Sequence, residues 1–174
     1  MALQSQTTST PTVVSEPEEI SGVYVEGVVA GLIGAATIAL WFFILDLYNG
    51  RPFFTPNVLG VALSLSGAPR DPTTVPISME AVLFYSWIHV LVFCLIGGLA
   101  AKLLSLAERD LHFGFGILLL FIIFEFGFVF AASVIAEPIL QALTWPAVLV
   151  GNLLAAGAMA LYFWRHHPTL RISP

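Results

Sequence analysis

The chain reads as an all-α integral membrane protein: a four-helix bundle in up-down order, with one short interfacial helix in its first loop. Three observations predict this. The 174 residues are 58% hydrophobic and only 10% charged, with a mean hydropathy of +0.93, whereas soluble domains carry about 25% charged residues. A soluble core of this size has no room for that much apolar surface, so lipid must be the solvent for much of it. Four apolar runs each reach the roughly 20 residues that cross about 30 Å of hydrocarbon at about 1.5 Å per residue. The segments between the runs are short, apart from one that is rich in proline and glycine.

Residues 1–21 begin as MALQSQTTSTPTVVSEPEEI, a Ser/Thr/Pro/Glu-rich stretch without Lys or Arg and without an apolar core. It is not a signal peptide and reads as a disordered polar and acidic tail. The membrane domain covers 22–168, with spans at about 22–48, 80–103, 113–136 and 143–164 and a tail at 169–174. Tyr24 and Tyr48 mark the ends of the first span, and Trp145, Tyr162 and Trp164 those of the fourth.

Asn49-Gly50 ends the first span with residues that tolerate positive φ. Thr55-Pro56 predicts a new helix, with Thr55 as its cap and Pro56 at its first position. The resulting apolar helix over 56–66 is too short to span. Pro69, Pro72 and Pro76 then argue against regular structure up to the second span. The brief 104–112 loop makes the second and third spans antiparallel neighbours, Pro138 ends the third, and Pro146 suits the first turn of the fourth.

Six basic residues set the orientation. Lys102, Arg109, Arg165 and Arg171 fall on the side of the termini, against Arg51 and Arg70 on the other. The excess predicts cytoplasmic termini. No basic patch offers a footprint for nucleic acid. The single cysteine, Cys94, excludes an intrachain disulfide and a Cys-rich zinc site.

Small residues give packing faces. Gly27, Gly31 and Ala35 recur every four residues on the first span, as do Asn152, Ala156 and Ala160 on the fourth. Such faces let backbones approach closely in lipid, where hydrophobicity does not drive helix against helix. Packing inside the chain and packing against another subunit are both open.

The polar residues of the spans are the candidate site. Glu125 sits at the centre of the third span, at a cost of roughly 2.5–3.5 kcal/mol on insertion scales. His89 and Asn152 fall at a similar depth on the second and fourth spans, which predicts a midplane His89–Glu125–Asn152 cluster, extended by Tyr85 and Ser86 one turn from His89. Three roles fit it: a hydrogen-bonded knot between helices, a proton or ion path, and a contact to haem or quinone. Haem with two axial histidines would need a second chain, because His112, His166 and His167 lie at membrane edges. One His, one carboxylate and one amide make a poor metal set. Glu26 and Asp46, near the ends of the first span, read as solvated anchors, and a local Asp46–Arg51 pair is plausible from their spacing. Asp46 and Glu137 share one side and would together ring a cavity mouth. GxSxG, HExxH, Walker and GxGxxG motifs are absent from the sequence, so a non-enzymatic role is expected.

The stretches ALWFFILDLYNGRPFFTPNVLG (39–60) and LTWPAVLVGNLLAAGAMALYFWRHHP (143–168) resemble a group of small four-helix bacterial inner-membrane proteins with no assigned activity. The resemblance implies four spans and a bacterial inner membrane, and it brings no cofactor and no site residue. The leading functional expectation is an accessory or assembly subunit within a larger, energy-transducing membrane complex. A small proton- or ion-linked transporter using Glu125 and His89 is the alternative, and a haem- or quinone-contacting electron-transfer component is the third. The expected partners are the lipid bilayer and other membrane subunits or further copies of the chain.

Overall fold

The computed structural model describes residues 16–64, 71–109 and 145–166, with side chains over 22–64, 71–105 and 146–166. The third span with Glu125, and with it Glu137, His112 and His167, lie outside the described residues. Those that are described form an all-α structure. Its helices are α1 (Glu16–Tyr48), α2 (Phe54–Leu63), α3 (Met79–Arg109) and α4 (Trp145–His166), with a short 3₁₀ turn at Pro72–Thr74. Within them Gly22–Tyr48, Met79–Ser105 and Pro146–His166 are long and apolar enough to cross a membrane.

Two helices run beyond the expected spans. α1 starts at Glu16, inside the stretch expected to be disordered. α3 continues to Arg109 through part of the expected 104–112 loop. The stretch LLSLAER consists of good helix formers, apart from its serine, and ends on a basic residue suited to a helix C-terminus.

α1 is the hub, packing along both α3 and α4, while α2 lies chiefly on α3. Contacts fix the directions. Gly27 meets Gly97 and Gly98, Gly31 meets Phe93 and Cys94, and Ala35 meets His89, so α1 and α3 are antiparallel. Gly34 approaches Met159, while Trp41 bonds Ala147, so α1 and α4 are antiparallel as well.

The α1–α3 contact is backbone on backbone. A Cβ on Gly27 would stand 2.5 Å from the Gly98 Cα, and one on Gly31 would stand 2.7 Å from the Cys94 Cα. Gly97 faces Gly27 and Gly31 in return. In lipid this closeness is the attraction itself, since dispersion between touching backbones replaces the hydrophobic drive. At the other seam Trp41 Nε1 donates to the Ala147 carbonyl at 2.8 Å, and its indole rests on Gly151.

The first loop departs from expectation at both its helices. Thr55 is not a cap: α2 begins at Phe54 behind Phe53, whose φ is 65°, and no side chain caps it. Thr55 is instead turned inward to Asp46. Pro72 does not forbid structure but opens the 3₁₀ turn, where a missing N–H costs nothing. Asp71 caps that turn, accepting from the Thr73 amide at 3.0 Å and its hydroxyl at 2.7 Å. Gly50, at φ 67°, ends α1 as its lack of a Cβ allows.

α2 is tucked into the bundle. Phe54, Val58 and Ala62 form a buried cluster with Val148 of α4, and Phe42 of α1 and Leu59 pack against it. Asn57, also fully buried, donates to the Pro76 carbonyl at 3.1 Å and accepts from the Ser78 amide at 2.8 Å. It thereby ties α2 to the chain just before α3.

Candidate functional site

A cavity of about 740 Å³ opens between α1, α2 and α3. It runs from Leu32, Ala35 and His89 near mid-depth to Asp46, Phe53, Thr55 and Pro56 at the C-terminal end of α1. The fourteen steps from Leu32 to Asp46 span about 21 Å at about 1.5 Å per residue. Its wall is mostly apolar, with polar atoms in two groups.

The inner group is His89, Tyr85 and Ser86, neighbours on one face of α3. His89 Nε2 lies 3.4 Å from the Ala35 carbonyl of α1, and Nδ1 lies 3.4 Å from the Tyr85 hydroxyl. A carbonyl only accepts, so Nε2 carries the hydrogen. In the neutral ring Nδ1 then accepts from Tyr85. Tyr85 stacks beside the imidazole at 5.4 Å between ring centres, and Phe93 closes its other side at 4.8 Å. Ser86 donates back to the Val82 carbonyl at 2.7 Å.

The outer group is Asp46 and Thr55. Asp46, expected as a solvated anchor, is only 5% exposed. Its Oδ2 accepts from the Thr55 amide and its Oδ1 from the Thr55 hydroxyl, both at 2.8 Å. The loop folds back after Gly50 and lays α2 over the end of α1, which removes the headgroup water that an end-of-span acid would otherwise reach. Arg51 stays close to Asp46, its amide donating to the Asp46 carbonyl at 2.9 Å, while its guanidinium lies 4.1 Å over the Phe54 ring.

No family model, curated protein or solved structure matches the chain.

The structure brings His89, Tyr85, Ser86 and Asp46 to one cavity, with Ala35 of the small-residue face against His89. Asn152 sits half-buried on α4, as does Ala156, with Ala160 more exposed. α4 packs on α1. Glu125 and Glu137 fall outside the described residues. His166, at the end of α4, uses Nδ1 on the Tyr162 carbonyl at 2.9 Å. Both nitrogens of His89 are engaged, so in this arrangement neither offers a lone pair to haem iron.

Sequence reasoning missed Thr55 and Asn57 as positioning residues. A signal exists for Asn57, the lone amide within the apolar helix FTPNVLGVAL. A buried amide there needs partners. For Thr55, its capping propensity concealed its tertiary role.

Proposed function

We propose that this chain is a four-span accessory subunit of a bacterial inner-membrane complex, with residues 113–136 as the further span, α2 beside the interface and both termini cytoplasmic. One observation carries the reading. Leu83, Trp87, Leu91 and Leu95 recur every four residues along α3 and stand 68%, 68%, 48% and 75% exposed. They make one continuous ridge on a single helix face. Trp87 lies eight residues into the span, about 12 Å from its start at about 1.5 Å per residue. That is deeper than the headgroup belt where tryptophan usually sits, and its indole N–H has no hydrogen-bond partner among the described residues. A neighbouring helix supplies an acceptor and a groove for the ring, and lipid tails supply neither.

The polar groups of the described spans support the same reading. His89, Trp41 and Asp46 each bind another segment of this chain, which suits a scaffold. The test is purification from native membranes in mild detergent. Stoichiometric partner subunits should co-purify, and Trp87→Ala with Leu91→Ala should reduce their recovery severalfold while leaving the amount of folded protein unchanged. Recovery of the wild type as a monomer or a homo-oligomer alone would refute the proposal.

A further inference from the structure

The cavity between α1, α2 and α3 has a use beyond subunit packing. Its volume of about 740 Å³ falls within the roughly 300–1,000 Å³ of small-molecule sites. Its length of about 21 Å and apolar wall suit an elongated lipid-soluble molecule. Its side-chain polar chemistry is one-sided. The His89 Nε2 hydrogen goes to Ala35, the Tyr85 hydroxyl hydrogen to His89, the Ser86 hydrogen to Val82 and the Thr55 hydrogen to Asp46. What remains on these lining side chains are oxygen lone pairs, on Tyr85, Ser86, Thr55 and Asp46.

We infer that this cavity binds a lipophile whose polar group donates hydrogen bonds, an alcohol or phenol head on an apolar body. A head that only accepts, such as an ether or an ester, would find no side-chain hydrogen to take without breaking a bond inside the protein. A fatty carboxylate would in addition face the Asp46 carboxylate in a medium that screens poorly. A hydroxyl gives its hydrogen to a lone pair that lacks a partner and leaves the internal bonds intact. Unmet polar groups are costly in an apolar site, and an ether leaves acceptor facing acceptor, so the same asymmetry gives selectivity.

The test uses the full chain in phosphatidylcholine nanodiscs and three photoreactive probes of one long-chain skeleton. They carry a diazirine at mid-chain and end in a hydroxyl, a methyl ether or a carboxylic acid. Mass spectrometry locates the adducts. The alcohol should label the cavity wall at Phe42, Phe43 or Val90 about three- to tenfold more than the ether does, the factor one net hydrogen bond gives. Excess unlabelled long-chain alcohol should compete that labelling away. Ala39→Phe, which fills the space, should abolish labelling without moving the thermal transition. If that variant fails to fold, the competition result on the wild type decides alone. Ser86→Ala, which removes a hydroxyl lone pair and leaves the Tyr85–His89 bond intact, should shrink the preference for alcohol over ether. Equal labelling by alcohol and ether, or adducts confined to the outer ridge at Trp87 and Leu95, would overturn the inference.

Discussion

At the scale of single residues, two neighbours on α3 separate backbone packing from helix propensity. A Cβ added to Gly97 would fall 2.6 Å from the Gly31 amide nitrogen, whereas one added to Gly98 would meet nothing within 4 Å. Gly97→Ala therefore forces α1 and α3 apart and should cost about 1–3 kcal/mol, the usual range for overpacking. Gly98→Ala should be neutral or stabilising by up to about 1 kcal/mol, because alanine loses less entropy in a helix. Thermal unfolding of the two variants in the same detergent checks the contrast, and equal shifts would contradict the close approach. Thr55 offers a second case. Thr55→Val keeps the shape and removes the hydroxyl that Asp46 Oδ1 accepts from. The buried carboxylate loses one of its two donors, at a cost of about 1–3 kcal/mol. Thr55→Ser should recover most of it in the same unfolding measurement.

At the scale of elements, the first loop is held by specific bonds. Asn57 clamps Pro76 and Ser78, and Asp71 caps the Pro72–Thr74 turn. The Asp71 carboxyl is held below its ordinary 3.8, first by the Thr73 hydroxyl and then by the Thr73 amide. A lowered acid adds stability that is fully present above the unfolded value and is lost as pH falls through the folded one. The turn should thus stay intact at neutral pH and loosen only below 3.8. The Thr73 amide resonance should titrate with a midpoint below that value, and Asp71→Asn should remove the titration. The helices themselves were legible: apolar length located α1, α3 and α4, and Asn49-Gly50 the end of the first. The start of α2 was not, because Thr55 satisfies a rule for capping equally well from a position where it serves Asp46. Sequence spacing cannot distinguish a hydroxyl turned to its own helix end from one turned to another helix.

At the scale of the whole molecule, the glycine contacts and the Trp41 bond make α3 and α4 both antiparallel to α1. Lys102 on α3 and Arg165 on α4 therefore lie at the end where α1 begins, and Arg51 at the other. The start of α1 and the end of α4 thus share a side. Reporter fusions at residue 174 should be active as cytoplasmic and inactive as periplasmic indicators, and the reverse pattern would invert the orientation proposed above. Composition and length alone determined that the described residues hold helices long and apolar enough to cross a membrane, where backbone groups must be satisfied within each segment. They also determined that His89 sits deep within a span. Only the tertiary structure decided what His89, Asp46 and Thr55 touch, which glycines meet backbone, and where a cavity remains. The reason is that α1 and α3 are apolar nearly all round. With little contrast between a lipid-facing and a protein-facing side, the pattern of residues does not select a face, and the fit of small groups against a neighbouring backbone does.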